Sequence, residues 1–146
     1  MKRLAAIAAI AVLTTGLAGC KTAEQAAQEA GKQPLSAQEM STIADGNTFA
    51  ARNVSGQEWF EYHAGDGTLY AGAGKSGGSS WLREGEWWVN DAGEYCLTMP
   101  GWSNATNRCQ PVYRTDDGYE AYWQDGRRYM TFQVLDGDPE DLDPRN

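Results

Sequence analysis

The chain has 146 residues, the length of one ordinary domain. Twelve Lys and Arg against twenty Asp and Glu give a net charge of -8. That balance argues against a nucleic-acid binder, which needs a basic face, and against polybasic docking on anionic lipid. At 41% hydrophobic and 22% charged, the composition is that of a globular protein.

The first residues read as an address. Met1-Lys2-Arg3 is a short positive start, Leu4 to Leu13 is almost unbroken apolar sequence, and Leu17-Ala18-Gly19-Cys20 follows. This is the layout of a secretory signal over residues 1–19. The apolar run is short of the roughly 20 residues that a membrane span needs. Leu17-Ala18-Gly19-Cys20 resembles the lipobox of bacterial lipoproteins at every position. The resemblance implies a diacylglyceryl group on the Cys20 thiol, cleavage before Cys20 and further acylation, with palmitate for example, of the new amine. It also implies a protein held in the cell envelope and facing the periplasm. One acyl chain holds a protein only marginally, whereas two or three hold it stably. Lys21, where an Asp would mark inner-membrane retention, points to the outer membrane.

With Cys20 lipidated, Cys96 and Cys109 remain. In an oxidising compartment an even remainder is expected to pair. The enclosed segment carries Pro100-Gly101 and Ser103-Asn104, turn residues that suit a loop between two strands. A catalytic or metal-binding thiol pair is the rival reading, but there is no Cys-x-x-Cys spacing and His63 is the single histidine. Two glycosylation sequons, at Asn53 and Asn104, are expected to be idle in a bacterial lipoprotein.

Residues 20–34, beginning with the lipidated Cys, are rich in Ala, Gln, Glu and Lys and lack aromatics. They read as a tether, transiently helical at most, that would reach about 45 Å if extended. Ser36-Ala37-Gln38-Glu39 is a capping box, so a short helix is predicted to carry Leu35, Met40 and Ile43 on one face and to stop at Gly46. Beyond Asn47, Asp-Gly pairs recur at Asp66, Asp117, Asp125 and Asp136 between strand-like runs, a strong hairpin signal. The runs are Thr48–Val54, Glu58–Ala64, Thr68–Ala73, Glu86–Asn90, Tyr95–Thr98, Cys109–Arg114, Tyr119–Gln124 and Tyr129–Leu135. The predicted fold is therefore mainly β: a small antiparallel barrel or roll of about eight strands, with one short N-terminal helix and one disulfide. This β domain spans 35–135, and an acidic, solvated tail over 136–146 ends the chain.

The core is expected to be aromatic. No isoleucine follows Ile43, Leu and Val are few, and all of the Trp, Tyr and Phe fall between residues 47 and 135. Alternation puts Trp59 and His63 on one face with Phe60 and Tyr62 on the other, sets Trp87 and Val89 against Trp88, and sets Phe132 and Val134 against Thr131 and Gln133.

The order of landmarks resembles a group of small exported bacterial β-rich domains of uncharacterised function. They are Gly46-Asn47-Thr48, Trp59-Phe60-Glu61-Tyr62, Asp66-Gly67-Thr68, Gly85-Glu86-Trp87, the Cys96/Cys109 pair and Val112-Tyr113. The resemblance implies an exported β domain and carries no catalytic residues with it. Small lipoprotein inhibitors of lysozymes and proteases share the anchor, the size and one disulfide, but the chain lacks the Ser-Gly-Ala-Arg-Tyr-like loop of the lysozyme inhibitors.

Catalytic constellations are weak. Gly72-Ala73-Gly74-Lys75-Ser76 lacks the leading Gly of a phosphate loop, that position being Leu69. His63 has no framing motif for a triad. Glu58 and Glu61 fall on opposite faces of a strand, Glu84 and Glu86 share one, and neither pair is set across a cleft. The acidic tail from Asp136 lacks the Gly and Glu spacing of an EF-hand. The surplus is tryptophan, six in all. Trp81, Trp88 and Trp102 fall in loops or on the outer alternation, where aromatics anchor a partner. The expected function is that of a membrane-anchored, non-enzymatic binding or structural module without cofactor or metal, held by the lipid on Cys20. It would meet an envelope protein or glycan through those three tryptophans. The alternative is an inhibitor of an exported hydrolase, steered by its acidic charge, with the loop Pro100 to Asn107 as the inserted segment.

Overall fold

The structure, a computed structural model, describes residues 21–75, 81–102 and 108–146. Two helices precede nine strands: α1 (Ala23–Glu29), α2 (Ala37–Ala44), β1 (Asn47–Asn53), β2 (Glu58–His63), β3 (Thr68–Gly72), β4 (Leu82–Val89), β5 (Tyr95–Thr98), β6 (Arg108–Gln110), β7 (Val112–Thr115), β8 (Gly118–Tyr122) and β9 (Arg128–Asp136). The strands form one antiparallel sheet in the order β6-β5-β4-β3-β2-β1-β9-β8-β7, curled into a nearly closed barrel.

The predicted run Cys109–Arg114 proves to be two strands because Pro111 interrupts it. Proline has no N–H to give a ladder. Arg108–Gln110 pairs with β5 and Val112–Thr115 pairs with β8, so one stretch of chain supplies both ends of the sheet. The free side of β7 is covered by Pro34, which bridges to Tyr113, and by the Leu35 N–H, which donates to the Val112 carbonyl at 2.7 Å. The Gln124 amide caps the Cys109 carbonyl on β6 at 2.8 Å. Few edge groups of these two strands are left for another chain to pair with.

Alternation along the strands is as predicted. Phe49, Ala51, Trp59, Leu69, Ala71, Leu97, Met130 and Phe132 are buried together in the barrel interior. Phe49 stacks on Phe132 with ring centroids 4.2 Å apart and lies 4.1 Å from His63. The predicted helix forms as α2, with the Ser36/Glu39 capping box in place. Its Met40 and Ala44 are fully buried in the same cluster, and it contacts β1 and β4. Lying against the start of β1 and the Ala64 and Gly93 turns, α2 plugs one end of the barrel.

Two predicted solvated segments are docked instead. The tether read over 20–34 contains α1, whose Thr22/Gln25 pair is a second capping box. Its Ala27 is buried against Tyr113 and Tyr122, outward-facing rings that need cover. Gln28 donates to the Tyr113 hydroxyl at 3.0 Å, that hydroxyl donates to Glu24 at 3.0 Å, and Lys32 pairs with Glu120 at 3.1 Å. The tail over 136–146 also folds back. Leu142 is buried with Ala64 and Tyr70 beside Phe60 and Tyr62, and Arg145 bridges Asp143 and Asp66. In both cases outward aromatics on a barrel with an aromatic-rich sequence recruit apolar cover from chain that composition alone marks as polar.

The predicted disulfide joins Cys96 on β5 to Cys109 on β6, directly opposite in register. Closing a loop of this length restrains the unfolded chain by about 3 kcal/mol. Replacing both cysteines by Ala is expected to lower the free energy of unfolding in urea by about that amount, since β6 is short and has its ladder on one side only.

Candidate functional site

The end of the barrel opposite α2 carries the β1–β2 and β8–β9 connections, the end of β3 with the start of β4, and the end of β5 with the start of β6. There an open, shallow pocket of about 590 Å³ lies between the strand ends. Four of the six tryptophans line it: Trp59 from β2, Trp81 at the start of β4, Trp102 after β5 and Trp123 after β8, joined by Tyr129 from β9. Trp59 is buried and the other three are partly exposed. Trp102 meets Trp59 edge-on at 6.3 Å and Trp123 meets Tyr129 at 4.6 Å. Asn53, Gln57 and Arg83 supply polar rim. A larger depression, about 950 Å³, shares Gln57, Trp59 and Trp81 with this pocket and runs past Arg52 and Phe60 to Tyr119 and Gln133.

Arg108 stands among these rings. Its guanidinium carbon lies 4.3 Å from the Tyr129 ring centroid, 4.8 Å from Trp123 and 5.9 Å from Trp102, inside the range of cation–π attraction. Nη2 donates to the Tyr129 hydroxyl at 3.0 Å. The residue is only 8% exposed, and Nε has no partner. Among the described residues no carboxylate lies within ion-pair distance of it. Next along the same face of β6, Gln110 is 1% exposed and neither its amide nitrogen nor its carbonyl oxygen is bonded. A buried cation without a contact ion pair is costly unless something supplies negative charge nearby. The rings repay part of that cost and leave the position open to an anion.

Beneath the pocket the polar interior is closed on itself. Trp59 Nε1 donates to Glu61 Oε1 at 2.8 Å. Glu61 Oε2 lies 3.2 Å from the Tyr95 hydroxyl, which lies 2.9 Å from His63 Nε2. His63 Nδ1 lies 3.2 Å from the Asn47 carbonyl. That carbonyl only accepts, so Nδ1 carries a proton. Two proton placements then satisfy every contact. In one, a protonated Glu61 donates to the Tyr95 oxygen and Tyr95 donates to a neutral His63. In the other, a charged His63 donates to Tyr95 and Tyr95 donates to a Glu61 carboxylate. Burial favours the first. It pushes Glu61 up from its ordinary value, against the Trp59 hydrogen bond and the charge of Arg108, and it pulls His63 down to about 3. Tyr95 is raised well above its ordinary range, by burial and then by Glu61.

Of the sequence-predicted residues, Trp81 and Trp102 come together in the pocket. Trp88 does not join them: it lies on the outer face of β4, in register with Cys96. His63 is sealed in the interior and lines neither cavity. Among the described residues no group of three His, Cys, Asp or Glu converges as metal ligands would. Cys20 and residues 103–107 of the loop that an inhibitor would insert lie outside the described residues, as does Ser76 of the glycine-rich segment. Trp59, Trp123, Tyr129 and Arg108 were not singled out from sequence. Trp59 shares the inward alternation of His63, but nothing around Arg108 in the sequence marks it as buried.

The interior chain sets a pH dependence. Burial holds His63 neutral below its ordinary 6.5, so its contribution is present above that value and is lost as pH falls toward about 3. Glu61 acts in the opposite sense: its contribution is present at acid pH and is lost as pH rises through its raised folded value. Glu61→Gln keeps an acceptor for Trp59 and offers an N–H to Tyr95. Urea unfolding is expected to show it close to wild type near about pH 4 and more stable than wild type near about pH 8. The reverse order would mean that Glu61 is ionised in the fold. No family matches the chain, no curated protein matches it, and no solved structure matches it. What the barrel binds is therefore read from the chemistry of the pocket.

Proposed function

We propose that the chain is a cell-envelope lipoprotein, anchored through lipid on Cys20, whose barrel is a non-enzymatic binding module. The observation that carries this reading is the pocket: four tryptophans and a tyrosine around an arginine that makes no ion pair among the described residues. Aromatic walls offer faces for a ring or an acyl chain, and the guanidinium offers a planar fork for a carboxylate or phosphate. The pocket thus fits a ligand with an anionic group on an apolar or ring-bearing body. The anchor is supported by the lipobox at Leu17 to Cys20. The non-enzymatic reading is supported by the enclosure of His63 and Glu61, the groups best suited to proton transfer, out of reach of a ligand in the pocket.

Anilinonaphthalene sulfonate, an aromatic anion, is a suitable probe. It is expected to bind the native protein with enhanced fluorescence and quenched tryptophan emission. Arg108→Met is expected to weaken that binding about tenfold or more, the worth of one charge-assisted hydrogen bond. Near-UV circular dichroism checks that the variant keeps its aromatic packing. Equal binding by the two folded proteins would remove Arg108 from the site.

A further inference from the structure

The disulfide is placed to act on the pocket. Cys109 lies between Arg108 and Gln110 on β6, and alternation turns those two polar side chains inward and the bridge outward, on the face that carries Trp88. Cys96 is fully buried and Cys109 half-buried, so a thiolate arriving from solvent meets Cys109 first. The Cys96 sulfur lies 3.7 Å from the Glu94 carbonyl, an acceptor already in place for a thiol proton.

Apart from the bridge, β6 is weakly held. It has three residues and a ladder to β5 alone among the described residues. It buries three polar atoms without partners, Arg108 Nε and both polar ends of the Gln110 amide, and water would satisfy them once the strand swung out. Beyond Pro111 the chain is firmly seated. β7 pairs with β8, Pro34 bridges to Tyr113, and the Tyr122 N–H donates to the Pro111 carbonyl at 3.2 Å. Pro111 is a ready hinge, since it has no N–H in either ladder to break. We propose that Cys96–Cys109 is a redox latch: a dithiol reduces it in the folded protein by attack at Cys109, β6 swings out on Pro111, and Arg108 leaves the tryptophan pocket. Exchange takes two steps. One thiolate of the dithiol attacks Cys109 Sγ, the Cys96–Cys109 bond breaks, and Cys96 leaves as a thiolate and takes a proton from water. The second thiolate then attacks the dithiol's own sulfur in the mixed disulfide and frees Cys109. The bridge gains two electrons, and the dithiol becomes a disulfide. The accompanying release of ligand rests on the binding reading above, whereas the release of β6 does not.

The test uses the full chain, with dithiothreitol as the dithiol and no denaturant. Alkylation of Cys96 and Cys109, counted by peptide mass, gives the extent of reduction. The folded protein is expected to be reduced at a rate that rises with dithiothreitol. Trypsin is then expected to cut after Arg108 about tenfold or more faster than in the oxidised protein. Cutting after Arg52, in the central strand β1, marks global unfolding and is expected to stay unchanged. The double variant Cys96→Ala/Cys109→Ala is expected to be cut after Arg108 without reductant. Oxidised wild type and oxidised Arg108→Met are expected to differ about tenfold in binding anilinonaphthalene sulfonate, and after reduction the two are expected to bind alike. A bridge that opens only in urea that unfolds the whole chain overturns the latch. So does reduced protein in which Arg108 stays closed to trypsin, or in which Arg52 is cut as readily. Cutting after Arg108 with the Arg108→Met difference intact overturns the release of ligand. Oxidised protein indifferent to Arg108→Met overturns the binding reading, and the trypsin cut still decides the latch.

Discussion

A curled sheet has two edges, and in this barrel a single stretch of eight residues, Arg108–Thr115, serves both. Pro111 is what divides it. Without an N–H it ends one ladder, and Val112 can then begin the next on a different neighbour. The position of β6 fixes everything along it. Cys109 reaches Cys96, Arg108 arrives among the tryptophans of the open end, and Gln110 points into the interior. The disulfide thus holds the strand that delivers the buried arginine.

The interior is divided by how its polar groups are satisfied. The chain from Trp59 through Glu61, Tyr95 and His63 to the Asn47 carbonyl has a partner at each step, and a fully connected network of this kind rigidifies a core. Arg108 and Gln110 form the other class, with three buried polar atoms unbonded. Trp59 joins the two, since one edge of it donates to Glu61 while its ring lines the pocket. A ligand that moves Trp59 would therefore be felt at Glu61.

Much of the fold was legible because it depends on alternation and turns. Strand boundaries fell near the predicted ones, the Asp66, Asp117 and Asp125 turns join paired strands whereas Asp136-Gly137 only ends β9, and the Ser36/Glu39 box marked α2. The two misread polar segments share a cause. Residues 23–29 and 136–146 are polar by composition, yet one Ala and one Leu in them cover outward aromatics that sequence reasoning did not place. Thr22 and Gln25 repeat the capping pattern of Ser36 and Glu39 and were the available signal for α1. The tryptophan surplus pointed toward the pocket, and Trp81 and Trp102 meet there, but Arg108 could not be read from sequence. Its burial follows from closure of the barrel, a long-range event that no local pattern encodes.

The sheet order has a consequence for how the molecule is made. β1 lies between β2 and β9, so the first strand waits for the last, with Asn47 opposite Asp136. While the chain emerges from its N-terminus, β1 through β6 can zip up as successive hairpins, and the disulfide can lock the end of that series. One flank of β1 nevertheless stays bare, with Phe49 uncovered by Phe132. Such a half-built sheet is prone to stick to its own copies until the final strand arrives. The slow step of maturation is thus expected to be the arrival of β9, and a chain truncated before Arg128 would keep most of its hairpins and leave a bare flank of β1 on which copies can associate.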